Sequence, residues 1–272
     1  MSEPRVLQGT AYPRTVSGRA SLIEPMPHDI SCDALHVTFR ADPDRIAQFL
    51  PPGVEPLESG EGWAMVAEMT KVSRSDPDQI WKDPFRCNYN EGVVGFYCSH
   101  AGRIVRYTAF VWVNRDWSMA MGSIFGWSKR LAEVERTRWQ PSNPAMFPMG
   151  SGARLGARVV RQGHTVLHLD VELDESSSQI EALPGHSSST LLYRYVSSPS
   201  PDVPDTEELY ELPLTNTRSS PVWAGKGSLR FFDCPDEELH LLGEVEATAG
   251  YLYQRGWTTA PVARLLQDYG RS

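Results

Sequence analysis

The clearest indication of the fold is the stretch VVGFYCS (93–99), HAG (100–102) and RIVRYTAFVWVN (103–114). Its two outer runs are rich in β-branched and aromatic residues, and the short connection between them contains Gly102, so the pattern predicts a β-hairpin. Residues 154–161 and 164–173 repeat the pattern around Gln162-Gly163 and predict a second hairpin. Because hairpins join neighbouring antiparallel strands, the sequence predicts an antiparallel sheet.

Few helices are expected beside these strands. The apolar segment 117–124 predicts a short helix that ends at Gly126, and Thr259 is expected to cap a C-terminal helix with Pro261 in its first turn. The chain shows neither a regular alternation of strands and helices nor an internal repeat. We therefore predict a mainly β (α+β) fold, a single-domain closed antiparallel β barrel or cone with a few short helices.

The N-terminal segment differs from the rest. Residues 1–30 contain little periodicity and several prolines and glycines, so they are predicted to form an arm over the surface or over a neighbouring subunit. The folded domain is then expected over residues 31–272, in a homo-oligomer.

Composition excludes several classes of protein. The chain has 272 residues, of which 40% are hydrophobic and 22% charged, as in ordinary globular proteins. Its net charge is -8, and no cluster of Lys and Arg suggests a surface for nucleic acid. No apolar run has the length of a signal peptide core or a membrane span, so we expect a cytoplasmic protein with no membrane partner.

Neither a metal nor a cofactor is expected. The four cysteines are widely spaced and include no Cys-x-x-Cys pair. His164 and His168 fall on one side of a predicted strand, but no third ligand is evident near them, and a zinc site needs at least three protein ligands. The glycines at 150, 152 and 156 lack the spacing of a dinucleotide-binding loop.

The residues around Lys129 suggest chemistry. Lys129 and Arg130 follow directly after an apolar helix and Trp127. A lysine held among Met121, Phe125 and Trp127 would lose hydration, and both this loss and the neighbouring cation favour the neutral, nucleophilic amine. The same spacing also fits a solvated Lys-Arg pair at the start of a strand, since most lysines are exposed.

From Gly122 to Leu131 the sequence resembles the signature of the acetoacetate decarboxylase family. In that family a short apolar helix leads through glycine, an aromatic residue and proline to Lys-Lys-Leu. Lys129 falls on the family's Schiff-base lysine, and Arg130 falls on its second cation. The resemblance extends to strand 35–40 and to the segment 223–233, so it covers nearly the whole chain and implies the fold of this family.

The resemblance implies roles for further residues. Glu91, just before the first hairpin, matches one active-site glutamate, and Glu68 matches another on the preceding strand. Both would be inward carboxylates that position the substrate or move protons. Trp127, Phe125 and Met121 would surround the substrate beside the lysine.

Two departures from the family pattern bear on the reaction. Ser128 replaces the proline before the lysine, and Cys32 aligns with the family's carboxylate-binding arginine. Either another cation, such as Arg106 or Arg86, holds the substrate carboxylate, or the leaving group is not carbon dioxide.

The leading hypothesis is therefore a lyase in which Lys129 forms a Schiff base with a small oxo-acid and a C–C bond breaks, as in decarboxylation of a 3-oxo acid. An alternative within the same chemistry is an aldolase-dehydratase, or a related condensation or cyclisation, acting on pyruvate-like or specialised substrates. A non-enzymatic alternative is a barrel that binds a small hydrophobic ligand among its tryptophans.

Overall fold

The structure is a computed structural model, and it describes residues 6–146, 148–177, 181, 183–259 and 263–270. Its strands are β1 (His28–Arg40), β2 (Glu55–Pro56), β3 (Glu61–Ser73), β4 (Asn88–His100), β5 (Arg103–Val113), β6 (Lys129–Leu131), β7 (Glu133–Arg136), β8 (Arg154–Arg161), β9 (His164–Ser177), β10 (Thr190–Val196), β11 (Thr206–Leu212), β12 (Leu214–Ser219), β13 (Val222–Phe231), β14 (Glu246–Thr259) and β15 (Arg264–Asp268). Its α-helices are α1 (Pro43–Ala47), α2 (Gln79–Lys82) and α3 (Asp116–Phe125), and 3-10 turns cover Pro84–Arg86 and Leu239–Leu242.

Both predicted hairpins are confirmed. β4 and β5 pair around Ala101 and Gly102, and β8 and β9 pair around Gln162 and Gly163. All four turn residues have positive φ, from 48° to 83°, which is the backbone of a tight two-residue hairpin turn. Glycine adopts this conformation without steric strain, and this explains its place in both turns.

The prediction of a closed antiparallel barrel is wrong. The described strands form one 15-stranded sheet whose main path runs β15-β11-β10-β5-β4-β3-β1-β14-β13-β9-β8-β7, and its end strands β15 and β7 do not pair with each other. Two pairings, β5 with β6 and β5 with β10, are parallel. Hairpin patterns report neighbouring strands only, so they do not determine whether the two ends of a sheet meet.

The predicted C-terminal helix is also wrong where the chain is described. Arg264–Asp268 forms strand β15 against β11, although its apolar residues fit a helical spacing. Pro261 and Val262 of that prediction lie outside the described residues. Short apolar runs fit either period, and here pairing with an available strand edge prevails.

The sheet is apolar on both faces, and alternation along its strands separates them. In β1, Leu35 and Val37 face the larger core, whereas Cys32 and Ala34 face a second cluster. We call these the core face and the cavity face. Since paired residues of neighbouring strands point to the same side, strand register shows which face each functional side chain occupies.

A β-bulge in β5 changes this alternation. The pairs Val94–Phe110 and Gly95–Thr108 leave Ala109 without a partner on β4. The extra residue brings both Arg106 and Val111 to the cavity face although they are five positions apart.

Before β1, the described arm residues contain one isolated bridge, between Gln8 and Thr15. The boundary between arm and domain at residue 30 stays a prediction. None of the described helices has the length and apolar composition needed to cross a membrane.

Candidate active site

Local sequence positions Lys129 at the start of β6. The predicted helix is confirmed as α3, which ends at Gly126 in the left-handed conformation, with φ of 97°. The helix begins at Asp116, and its N-cap residue is Arg115. Lys129 pairs with Val111 of β5, and this register puts its side chain on the cavity face.

The ammonium group of Lys129 is buried and held by two side chains. Only 3% of the side chain is exposed, and Nζ donates to Glu91 Oε2 at 2.7 Å and to Ser118 Oγ at 3.1 Å. The rings of Tyr89 and Trp127 each lie 5.3 Å from Nζ. A cation between aromatic rings and one carboxylate has lost its water, so Glu91 carries most of its stabilisation.

Helix α3 leaves room for this side chain at Gly122. A Cβ at that position would lie 2.7 Å from Lys129 Cγ and 2.8 Å from the carbonyl oxygen of Trp127. These distances are too short for non-bonded carbon and oxygen atoms. The glycine therefore allows the lysine stem to pass along the helix.

Lys129 reaches a small cavity of about 130 Å³. The lining is mainly aromatic and aliphatic, with a few polar groups. Its residues are Ile30, Cys32, His36, Trp63, Met65, Met69, Tyr89, Glu91, Val93, Arg106, Thr108, Val111, Met121, Trp127, Lys129, Thr190, Leu212, Leu214, Tyr253, Arg255 and Trp257. A cavity of ~150 Å³ holds a molecule the size of benzene, so this one fits a short oxo-acid.

Four of the eight titratable side chains on the described lining are neutral, namely Cys32, His36, Tyr89 and Tyr253. Burial raises the pKa of the Cys32 thiol to about 12. Burial, with the charge of Arg106, lowers the pKa of His36 to about 3. Burial likewise raises the pKa of Tyr253. The other four are the Lys129–Glu91 pair and two arginines.

Those two arginines, Arg106 and Arg255, form no ion pair with any residue in the described ranges. Arg106 Nη2 donates to Thr190 Oγ1 at 3.2 Å, and its buried Nε has no hydrogen-bond partner. Arg255 Nη2 donates to the carbonyl of His186 at 3.0 Å. Sequence reasoning predicted Arg106 but missed Arg255, which lies in no motif and joins the site only through strand pairing.

Glu68 does not meet Lys129. In the β3–β4 register it pairs with Asn90, the neighbour of Glu91, and therefore points to the opposite face of the sheet. Its carboxylate accepts from Arg138 Nε at 2.8 Å in a polar groove of about 930 Å³, which adjoins the cavity and shares Cys32, Met69, Tyr89 and Arg255 with it.

Arg130, adjacent to Lys129, also points to the core face. It pairs with Trp112 in register, and its Nη1 lies 2.9 Å from Glu237 Oε2. The structure thus separates the two adjacent cations and pairs Arg130 with the buried carboxylate of Glu237, which it shares with Arg161.

Of the other predicted residues, Met121 and Trp127 line the cavity, while Phe125 packs behind Trp127 with ring centroids 5.6 Å apart. Arg86 lies elsewhere, with Nη2 2.7 Å from Glu24 Oε1. Ser118, which sequence reasoning missed, contacts Lys129 because it lies one turn before Gly122 on α3.

A second buried lysine lies near Arg86. Lys71 is 1% exposed, pairs with Glu24 and lies 4.6 Å from the ring of Trp117. Burial lowers its pKa. Lys71 does not line the cavity. It is therefore an internal control for Lys129, a buried lysine that lies outside the candidate site. No group of three or more His, Cys, Asp or Glu in the described ranges could hold a metal ion.

Comparison with known proteins gives one family. The model of the acetoacetate decarboxylase (ADC) family matches residues 11–269. No curated protein matches the chain.

Two similar solved structures share the fold over almost their whole length. The enduracididine biosynthesis enzyme MppR, in complex with the condensation product of pyruvate and imidazole 4-carboxaldehyde, has a TM-score of 0.89 and 26% identity, covering 98% of this chain and 100% of that one. An acetoacetate decarboxylase-like enzyme from Sphingomonas wittichii RW1 has a TM-score of 0.89 and 27% identity, covering 96% and 100%. The acetoacetate decarboxylase of Legionella pneumophila, at 14% identity and a TM-score of 0.69 over 90% of this chain and 89% of that one, shares the fold.

Proposed function

Because this chain belongs to the acetoacetate decarboxylase family, we propose that it is a lyase in which Lys129 forms a Schiff base with a small oxo-acid. The observation that carries the proposal is the buried Lys129–Glu91 pair at 2.7 Å in a small, largely apolar cavity. An ammonium at this depth with one carboxylate has a specific proton acceptor and little competing water.

The first step forms the imine. Glu91 accepts a proton from Nζ of Lys129, and the free amine attacks the carbonyl carbon of the oxo-acid. The C–N bond forms as the carbonyl electrons move to oxygen, which takes up protons and leaves as water. Ser118 Oγ, 3.1 Å from Nζ, orients the amine during this attack.

The iminium nitrogen then withdraws electrons. With a 3-oxo acid, the bond to the carboxylate breaks, carbon dioxide leaves and an enamine remains. With pyruvate, Glu91 removes a methyl proton to give the enamine, which attacks an aldehyde to form a C–C bond before water is eliminated. After decarboxylation the enamine carbon takes up a proton and the iminium forms again, and in both cases hydrolysis of the iminium returns the free lysine.

Of these two outcomes, condensation of pyruvate with an aldehyde is favoured. In the resemblance to the decarboxylases, Cys32 aligns with their carboxylate-binding arginine, and burial keeps its thiol uncharged. MppR, which is 26% identical, was captured with the condensation product of pyruvate and an aldehyde. Decarboxylation, the leading hypothesis from the sequence, becomes the second candidate, and it is retained because Arg106 and Arg255 offer cations in the same cavity.

A two-substrate assay separates the candidates. The protein is incubated with acetoacetate, following carbon dioxide release, and with pyruvate plus an aromatic aldehyde, following a conjugated chromophore. We expect the chromophore, with its loss in Lys129→Ala and its retention in the matched control Lys82→Ala, whose lysine is 66% exposed. Turnover that survives in Lys129→Ala would contradict the proposal. A cytoplasmic, homo-oligomeric enzyme is part of the same proposal.

A further inference from the structure

We propose that Arg255 and Arg106 together form the carboxylate-binding subsite of this cavity, with Arg255 on β14 supplying the cation that β1 lacks at Cys32. The inference deepens the proposed function and rests on it for the identity of the ligand as an oxo-acid. It assigns the substrate carboxylate to the cavity mouth and its carbonyl to Lys129.

Strand register brings Arg255 to this place. Cys32 of β1 pairs with Arg255 of β14 on one side and with Met69 of β3 on the other. Met69 pairs in turn with Tyr89 of β4, whose ring contacts Lys129. Paired residues share a face, so an arginine on β14 projects beside the position that Cys32 occupies.

Two uncompensated cations at one place point to an anionic ligand. Neither arginine has a carboxylate partner within the described residues, and the one acid on the described cavity lining, Glu91, is bound to Lys129. Burial, followed by the charge of Arg255, lowers the pKa of Arg106. The buried Nε of Arg106 has no hydrogen-bond acceptor. A bound carboxylate would relieve the repulsion and accept this N–H.

The surroundings of Arg106 and Arg255 provide a route by which an anion can reach them. Beside the cavity lies a depression of about 450 Å³, which we call the vestibule. It is lined by Arg106, His186, Ser187, Ser188, Ser189, Thr190, Leu212, Pro213, Leu214, Thr217, Arg218, Ser219 and Arg255. The vestibule and the cavity share Arg106, Thr190, Leu212, Leu214 and Arg255, so the two arginines lie at their boundary.

The vestibule lining carries no Asp or Glu among the described residues, although the protein has a net charge of -8. Arg218 adds a third cation. Such a local field attracts a small anion on the vestibule side of the arginines. On their other side, Arg218 and Arg255 border the polar groove, whose lining includes Asp33, Glu68 and Glu135. A short oxo-acid entering here meets the arginines first with its carboxylate, and its carbonyl continues into the apolar cavity.

Propionate and propionamide test the subsite without any covalent step. They have the same size, they lack a ketone, and only propionate is charged. We expect propionate to bind more tightly than propionamide in a calorimetric or NMR titration. Arg255→Gln and Arg106→Gln should each weaken propionate binding by on the order of tenfold or more, with propionamide unchanged.

Two further variants control the experiment. Arg255→Lys retains the charge and should keep part of the preference for propionate, even if Arg255→Gln disturbs the fold. Arg154→Gln removes an arginine that is 78% exposed and paired with Glu172, and should bind as the unchanged protein does.

Equal binding of propionate and propionamide, or propionate binding that survives in both Arg255→Gln and Arg106→Gln, would overturn the inference. Because these probes form no imine, the result is independent of Lys129 chemistry. A carboxylate preference without any Schiff base would overturn the proposed function and leave the subsite intact.

Discussion

At the scale of single residues, the site depends on how Lys129 is held. Its ammonium has a carboxylate at 2.7 Å, a hydroxyl at 3.1 Å and two aromatic rings around it. This arrangement fixes where the nitrogen lies and which group takes its proton. The proton-accepting role can be tested at Glu91, and the positioning of the lysine stem can be tested separately at Gly122.

Glu91→Gln preserves the shape of the side chain but removes the base. We expect turnover to fall roughly 100- to 10,000-fold, because general acid-base groups contribute about this much. Steady-state rates with the preferred substrate measure the effect. Glu68→Gln is the matched control, since Glu68 lies on the opposite face of β3 and should change the rate little. An equal loss in both variants would contradict the assignment of Glu91.

Gly122→Ala tests the room that α3 leaves for the lysine stem. The added methyl group would meet Lys129 Cγ at 2.7 Å, so the stem or the helix has to move. We expect the Lys129 adduct with pyruvate to form at least roughly tenfold more slowly, since small displacements of reacting groups have large effects on rate. Ser123→Ala, at an exposed position of the same helix, should react normally. Equal adduct rates in the two variants would show that the space at Gly122 is unimportant.

At the scale of elements, the three-residue strand β6 divides its two cations between the faces of the sheet. Lys129 pairs with Val111 and faces the cavity, while Arg130 pairs with Trp112 and faces the core. Glu237, with 1% of its side chain exposed, forms ion pairs with Arg130 and Arg161 and accepts a hydrogen bond from the indole N–H of Trp112. The contacts of Arg130 are therefore structural.

Arg130→Ala separates this interpretation from activation by an adjacent cation. If Arg130 lowers the pKa of Lys129, its removal should raise the pH optimum. If Arg130 instead serves the core face, as the strand register indicates, the pH profile should stay unchanged and the protein should become less stable. We expect a loss of about 1–3 kcal/mol in the free energy of unfolding, less than for a fully buried pair because Arg161 remains. Denaturant unfolding and a pH–rate profile measure both. Arg138→Ala, which removes an exposed pair, should cost at most about 1 kcal/mol.

Sequence patterns predicted the elements of this site better than their register. Local signals specify both hairpins, helix α3 and the position of Lys129 after Gly126. Glu68 and Arg255 depend on which residue of a distant strand stands opposite, and no local pattern contains that information. Likewise, no sequence pattern indicates the bulge at Ala109, which brings Arg106 to the cavity face.

At the scale of the whole molecule, the arm is attached to the sheet through Glu24. Its carboxylate pairs with Lys71 of β3 and Arg86, and accepts from Gln79 Nε2 at 2.8 Å. Burial alone would raise the pKa of Glu24, but the charge of Lys71 and the hydrogen bonds from Lys71 and Gln79 lower it.

This cluster predicts a pH dependence of stability. A carboxylate whose pKa is lower in the folded state stabilises the protein above its unfolded pKa, near ~4.3, and this contribution is lost as the pH falls through the folded pKa. Glu24→Gln should lack that acid-dependent part and lose on the order of 3 kcal/mol at neutral pH, because Lys71 is left as an unpaired buried cation. Chemical unfolding from about pH 3 to about pH 7 measures this pH-dependent contribution, because it changes between the folded and unfolded pKa values. Glu58→Gln, at an exposed position, should follow the unchanged protein.

The overall topology was the least predictable feature. Two-residue turns identify neighbours, whereas the open path from β15 to β7 depends on long-range pairings such as β1 with β14, more than 200 residues apart. Homo-oligomer formation and the domain boundary at residue 30 remain predictions.

Reduction of the imine shows directly whether Lys129 forms the Schiff base. The chain has four lysines, Lys71, Lys82, Lys129 and Lys226, so peptide mapping can assign an adduct without ambiguity. After incubation with pyruvate and borohydride, we expect the mass increase on the Lys129 peptide alone, and none in Lys129→Ala. An adduct on buried Lys71, or no adduct with either pyruvate or acetoacetate, would contradict it.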